Sequence, residues 1–147
     1  MKLYVASSWR NTYYPDVVKR LQAEGFECYD FRNPAPGNHG FAWSEIDPCW
    51  EEWSREEFRK ALHHPIAQRG FAYDANALRA CDACVLVLPC NRSAHLEAGF
   101  AIGAKKPTVI YLPEPTEPEL MYGLADAVVV SLEELSRALD TLRRGTP

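Results

Sequence analysis

ACVLVLPCNRSAHLEAGFAIGAKKPTVIYL, residues 83–112, decides the fold. Its opening run, ACVLVLP (83–89), is apolar throughout and reads as a central strand buried on both faces. A helix rich in small residues is predicted over 93–104, and TVIYL (108–112) is a further buried strand. Strand, helix and strand at this spacing make a parallel crossover unit. Glu97 stands in the first turns of that helix, just beyond the carboxyl end of the central strand, which is where open α/β sheets bind ligands.

The same alternation extends outward in both directions. KLYVA (2–6) is a short apolar strand, and PDVVKRLQAEG (15–25) is an amphipathic helix with Pro in its first turn and Gly at its end. FECYDF (26–31) is the second strand, and RNPAPGNHGF after it is loop. WSEIDPCWEEWSREEFRKALHH (43–64) predicts a helix capped by Ser44 or Asp47, with Trp50, Trp53, Phe58, Ala61 and Leu62 on one packed face, interrupted by Pro65. FAYDANALRACD (71–82) predicts another helix, with Phe71, Ala75, Leu78 and Ala80 turned inward. Beyond residue 112 come a proline-rich loop, a short turn near 119–124, the strand AVVVS (127–131) and the helix SLEELSRALDTLRR (131–144), with RRGTP read as frayed. The expected class is α/β: a flavodoxin/Rossmann-like, doubly wound, five-stranded parallel sheet of order 2-1-3-4-5. Residues 1–147 read as a single domain carrying an aromatic-rich insertion at about 32–64. The loops at 6–14 and 89–97 are then expected to face each other at the topological switch point.

A chain of 147 residues can bury a core without disulfides or metals. Its formal charge of -4 and lack of a Lys/Arg block argue against nucleic-acid polymers and anionic membranes as partners, so small molecules are expected. No 18-residue apolar run is present, and MKLYVASSWRN turns polar too early for a signal peptide, so a cytoplasmic protein is expected. The five cysteines lie mostly in apolar surroundings, as reduced thiols do; CDAC (81–84) falls between a helix end and a strand start, not at the helix N-terminus a redox pair requires. His63 and His64 lack partners at metal-ligand spacing, and neither a metal nor a cofactor is expected.

Two carboxylates stand out. Glu97 near a helix N-terminus stays ionised, either as a nucleophile or base or simply as an acid complementing the helix dipole. Asp74 lies eight residues before Asp82, two turns earlier on a similar face, and is either a solvated helix residue or the second carboxylate that glycosidic cleavage needs. ASSWRN (6–11) places Ser7, Ser8, Arg10 and Asn11 after the first strand without a G-x-G-x-x-G turn, so a dinucleotide cofactor is poorly supported while a sugar or phosphate can be held. Arg92 follows the central strand, with Ser93 as the expected helix N-cap beside a possible anion site. Phe31, Phe41, Trp43, Trp50 and Trp53 are either core or a lid on which a flat base stacks.

YVASSW (4–9), DANALRACDACVLVLP (74–89), HLEAGFAIGAKKPTVIYL (95–112) and ELMYGLAD (119–126), in this order, resemble the nucleoside 2-deoxyribosyltransferase family and the related 2′-deoxynucleoside 5′-phosphate N-hydrolases. The resemblance implies that Glu97 is the nucleophile of a glycosyl-enzyme intermediate and that Asp74 contacts sugar hydroxyls and assists proton transfer. It places Asn91, Arg92 and Ser93 on the sugar 5′ or phosphate side, Ser7 and Ser8 in the turn after the first strand and Tyr4 beneath them; Trp43 lies in GFAWSEIDPCWEEW (40–53), a segment longer and richer in tryptophan than the family's loop, and is expected from the aromatic stretch to cover the base. Transferases of the family usually carry an acid where Asn91 stands, and an Asn-containing segment that completes a neighbour's site where this chain has Glu119-Leu120-Met121. The implied function is cleavage of the N-glycosidic bond of a (deoxy)nucleoside or its 5′-monophosphate, by base exchange or hydrolysis, in a homodimer or higher homo-oligomer to which Glu119 and Met121 contribute. The alternatives are an NAD-glycohydrolase-like enzyme and a non-catalytic nucleotide-binding protein.

Overall fold

The computed structural model describes residues 1–145, which form two compact units: Met1–Asp30 with the chain from Leu78 on, and Phe31–Ala77. The first unit carries a five-stranded, all-parallel sheet in the order β2-β1-β3-β4-β5, as the alternation of elements predicts. Its strands are β1 (Lys2–Ala6), β2 (Glu27–Tyr29), β3 (Ala83–Val87), β4 (Thr108–Tyr111) and β5 (Ala127–Val129). Every residue of β3 and β4 is buried, because helices cover both faces of the sheet. α1 (Tyr14–Ala23) packs on β2, α4 (Arg92–Gly103) on β1, β3 and β4, and α5 (Leu132–Gly145) on β4 and β5.

Local chemistry sets the ends of these helices. α1 has a proline in its first turn and ends at Gly25, whose φ of +85° suits a residue without a Cβ. Phe26 N–H then reaches back to Leu21 O at 3.1 Å and closes the turn. α1 and α5 lie on the same side of the sheet: Ser136 Oγ donates to Glu24 at 2.8 Å, and the Arg143 guanidinium lies 4.9 Å from the centre of the Phe26 ring. That contact holds the last turn of α5 through Arg143 and Arg144 to Gly145, so the end expected to fray is helical as far as it is described. Thr146 and Pro147 of the expected frayed tail lie outside the described residues. α4 begins at Arg92 with Asn91 as N-cap, which puts Ser93 inside the first turn and not at the cap.

The second unit departs most from expectation. Residues 43–64 form two 3-10 turns, Trp43–Glu45 and Trp50–Glu52, followed by the short α2 (Arg55–Ala61). Pro48 removes a donor, and Asp47 accepts from Cys49 N at 2.9 Å and from Trp53 Nε1 at 2.7 Å, so Asp47 closes a turn and caps nothing. The true cap is Ser54, reciprocally bonded with Glu57 in a capping box, while Ser44 sits within a 3-10 turn. Of the residues expected on one packed face, Ala61 is buried and Trp53 half-buried, while Trp50 and Leu62 are exposed and Phe58 keeps nearly half its surface exposed although its ring meets Trp43.

Pro65 does not break a helix; it opens α3 (Pro65–Ala80), where its missing N–H costs nothing. Of the positions expected inward on α3, Leu78 is buried and Ala75 half-buried, while Phe71, at 61% exposure, and Ala80 face outward. Asp82 lies past the helix end and is tied to β1, accepting from Lys2 N at 2.7 Å while its own N–H donates to Lys2 O. No helix among the described residues is long and apolar enough to cross a membrane.

Candidate active site

α4 is built to lie close to the sheet. Ala94, Ala98 and Ala101 are its buried residues, spaced three and four apart, and Glu97 falls on the same stripe. Glu97 is thus a half-buried carboxylate on the inward side of a helix whose other inward residues are alanines. It is the sixth residue of α4, beyond the first turn to which the helix dipole reaches, so complementing that dipole does not account for it. Its charge is felt beneath the helix: burial first, and then the Glu97 carboxylate, push the Cys90 thiol up to about 12, and Cys84 is raised by burial, then by Cys81, with Glu97 adding to both. Both sulfurs are consequently protonated thiols and poor nucleophiles.

Cys84 belongs to a row that crosses one face of the sheet, since residues paired in register in a parallel sheet point to the same side. Tyr29, Tyr4, Cys84 and Thr108 occupy successive strands in that row, and the rings of Tyr29 and Tyr4 stack at 5.3 Å. Tyr4 is wholly buried, so its ring lies within the fold and meets no solvent.

Three connections meet at the carboxyl edge of the sheet, as the switch-point argument requires. From the β1–α1 loop, Ser7 Oγ donates to Val87 O at 2.9 Å, and Asn11 Nδ2 donates to Pro89 O at 2.9 Å and to Val87 O at 3.4 Å. Tyr13 Oη donates to Glu114 at 2.7 Å, joining the same loop to the segment after β4. His95, in the first turns of α4, has Nδ1 at 2.9 Å from Asn91 O and Nε2 at 2.9 Å from Tyr122 Oη. A carbonyl can only accept, so Nδ1 carries the proton in the neutral ring and Nε2 accepts from the tyrosine. The two rings also stack, with an interplanar angle of 11°.

The site residues named from the sequence divide between the two units. The first unit gathers Ser7 and Ser8 in the β1–α1 loop, exposed Asn91, Arg92 and Ser93 at the start of α4, and Glu97 on that helix. Ser7 is buried and its hydroxyl proton is taken by Val87 O; Ser8 is half-buried. Glu119 accepts from Met121 N at 3.1 Å and so caps the 3-10 turn Leu120–Leu124, leaving Leu120 and Met121 exposed.

Trp43 and Asp74 belong to the second unit. Trp43 is half-buried at the centre of a ring cluster, edge-on to Phe41 at 4.7 Å, Trp53 at 5.8 Å and Phe58 at 5.9 Å. Asp74 is half-buried on α3.

Two features went unread in the sequence. Asn11 reads as a polar residue of the β1–α1 loop, although Asn three residues before Tyr14-Pro15 is a cap signal. The His95–Tyr122 contact has no local signal, as the partners are 27 residues apart.

An open cavity of about 270 Å³ lies where α4 runs into β4, lined by Lys105, Pro107 and Leu124 among others; it holds none of these groups. Among the described residues no three His, Cys, Asp or Glu side chains cluster so as to hold a metal.

The chain shares this architecture with solved structures. A 2-deoxyribosyltransferase from Bacillus psychrosaccharolyticus matches over 92% of this chain and 90% of its own, with a TM-score of 0.59 and 18% identity. The chain has the fold of a 2-deoxyribosyltransferase. A CMP N-glycosidase from Clostridium botulinum matches over 95% and 99% of the two chains, with a TM-score of 0.51 and 16% identity. A conserved protein from Enterococcus faecalis matches over 96% and 98%, with a TM-score of 0.62 and 16% identity. No protein-family model matches the sequence, and no curated protein matches it.

Proposed function

We propose that the protein is an enzyme that cleaves the N-glycosidic bond of a (deoxy)nucleoside or nucleoside 5′-monophosphate, with Glu97 as nucleophile. The observation that carries the reading is the position of Glu97: a half-buried carboxylate, on the alanine-lined inner stripe of α4, at the switch point of a 2-1-3-4-5 sheet. Its support from outside the chain is the fold shared with a 2-deoxyribosyltransferase and a CMP N-glycosidase.

In this reading a Glu97 oxygen attacks C1′ as the C1′–N bond breaks, and the departing base takes up a proton. The product is a glycosyl ester on Glu97. Water then adds at C1′ and the ester C1′–O bond breaks, restoring the carboxylate; a second free base in place of water gives exchange. Two inversions at C1′ give net retention. Asp74 is assigned to the sugar hydroxyls and to the proton transfers. Ser8, Asn91, Arg92 and Ser93 are assigned to the sugar and any 5′-phosphate, with Ser7 and Tyr4 behind them, and Trp43 to the base.

A homodimer or higher homo-oligomer is part of the proposal. Leu96, at 75% exposure, and Phe100 stand on the outer side of α4, and Leu120, at 90%, Met121 and Leu124 stand on the 3-10 turn that the His95–Tyr122 pair holds to that helix. Solvent-facing side chains of this size in one region mark an interface. Light scattering that shows a monomer at micromolar concentration overturns this part alone.

The deciding experiment is chromatography of purified protein incubated with ribo- and deoxynucleosides, their 5′-monophosphates and NAD, with and without a free base, beside Glu97→Gln. Base release or exchange that disappears in Glu97→Gln is the expected result. Turnover that survives the substitution removes Glu97 from the mechanism, and thermal stabilisation by a nucleotide without product from either protein makes this a binding protein.

A further inference from the structure

The buried amide of Asn11 uses both ends of its side chain to join two parts of the fold. Oδ1 accepts from the N–H groups of Tyr13 and Tyr14, each at 2.8 Å, which satisfies the start of α1. Nδ2 donates to Pro89 O at 2.9 Å and to Val87 O at 3.4 Å, which satisfies the carbonyls where the chain leaves β3. Ser7 Oγ adds a third donor, to Val87 O at 2.9 Å. At 3% and 8% exposure, Asn11 and Ser7 are, with Thr108, the buried polar residues among those described. Buried polar groups are costly unless satisfied, and here their partners are the carbonyls of the segment that carries Asn91 and the first turn of α4.

We propose that Asn11, with Ser7 beside it, is a positioning residue for the reaction: the pair clamps the exit of β3 to the start of α1 and thereby sets where α4 begins and where Glu97 points. This rests on the reading of Glu97 as nucleophile. The donors of the brace go to the main-chain carbonyls of Val87 and Pro89, so its effect on the reaction runs through the segment that leads into α4. A displacement of about 1 Å in a reacting group costs on the order of a hundredfold in rate, so losing the brace lowers kcat more than it raises KM.

Asn11→Asp tests the donors alone. The variant keeps Oδ1 as the α1 cap and replaces Nδ2 with an oxygen facing two carbonyl oxygens. When ionised it repels them; when protonated its O–H donates to one of them again. Turnover in Asn11→Asp is expected to fall about tenfold to a hundredfold in kcat near neutral pH, with KM changed less, and the deficit relative to wild type to shrink as pH falls. The titratable and charged groups near the brace, Arg10, Tyr13 and Tyr14 in and after its loop, Asp30 bonded to Tyr14 Oη, Cys90, Arg92, His95 and Glu97 in the chain after β3, and Glu114 bonded to Tyr13 Oη, are common to both proteins. The variant-to-wild-type ratio therefore isolates the new carboxyl.

Hydrogen exchange read alongside is expected to quicken at 88–97 and to stay unchanged in α1. Ser7→Ala, which removes one bond of the three, gives the same pattern at smaller amplitude and serves if Asn11→Asp folds poorly. Unchanged kcat in both variants, in a protein that Glu97→Gln inactivates, overturns the brace and leaves the nucleophile standing. A uniform rise in exchange with no pH-dependent recovery makes Asn11 a structural residue only. Turnover that Glu97→Gln does not reduce overturns the nucleophile reading itself, and this role with it.

Discussion

The Cys90 thiol reports on Glu97 without any substrate. Burial and then the Glu97 charge push it up to about 12. At about pH 8 only about one thiol in ten thousand is then ionised, against about a quarter for an ordinary cysteine. A higher-pKa thiolate is the better nucleophile, with a Brønsted slope of about 0.4–0.5, and this recovers part of the deficit. The net expectation is that Cys90 attacks an aromatic disulfide roughly fiftyfold to a hundredfold more slowly than an ordinary thiol.

Exposed Cys49 should therefore label first, with Cys90 far behind. In Glu97→Gln the coulombic part of the shift is gone. Each unit by which the pKa falls multiplies the thiolate tenfold and lowers its reactivity about threefold, for a net gain of about threefold. Cys28 is the internal control, because it is pushed up to about 11 by burial and Asp30, with no contribution from Glu97. Peptide-resolved mass spectrometry over a labelling time course reads all five sites. Cys90 labelling as fast as Cys49, or a Cys90-to-Cys28 rate ratio unmoved by Glu97→Gln, refutes the placement of the Glu97 charge over the end of β3.

Three further expectations concern the scaffold. A Cβ at Gly70 would lie 2.9 Å from Phe41 Cβ, so Gly70→Ala pushes Phe41 off Trp43 and destabilises the second unit by about 1–3 kcal/mol, read as a shift in tryptophan emission at lower urea. Lys105 holds a φ of +60° past the end of α4, where glycine fits without strain; Lys105→Gly is expected to stabilise by about 1 kcal/mol in the same denaturation assay. For Glu24, burial acts to raise the carboxyl, but hydrogen bonds from Arg20 and Ser136 outweigh it and hold the group below its usual range. A lowered carboxyl contributes stability above its unfolded value and loses it as pH falls through its folded value. Melting temperatures of wild type and Glu24→Gln should then converge as the pH falls below the ordinary carboxylate range, and a constant gap would contradict the Arg20–Glu24–Ser136 arrangement.

What could be read from the residues alone was what rests on period and length. β3 and β4 are apolar without interruption because helices cover both their faces, and the strict alternation of strands with helices leaves few ways to wind the sheet. Glu97 stood out as a candidate because it is the one carboxylate in a helix whose buried residues are alanines. The 43–64 stretch misled because its aromatic residues have helical spacing, yet Trp53 and Phe58 pack on Trp43 while Trp50 is exposed. Ser54-x-x-Glu57 stood in plain view as a capping box, but Asp47 and Ser44 offered caps earlier in the same run, and only the turn that Asp47 makes over Pro48 decides between them.

Asn11 was harder for a different reason. Its cap on α1 is local and had a signal, whereas its donors reach carbonyls 76 and 78 residues away, and no pattern within a window that short records such a bond. The same is true of His95, whose ring meets Tyr122 only because β4 returns the chain to the carboxyl edge of the sheet. Both unread residues act on the placement of α4: one fixes the chain as it leaves β3, the other fixes the turn that lies along the helix. A carboxylate such as Glu97 can be picked out by its own residue type and neighbours, but in the proposed reading its aim depends on groups brought from elsewhere by the topology. On that argument, substitutions at Asn11 and His95 should move kcat more than any change among the exposed residues Arg92 and Ser93 that leaves α4 in place, and the opposite ranking would mean that substrate contacts, not the set of the helix, limit the reaction.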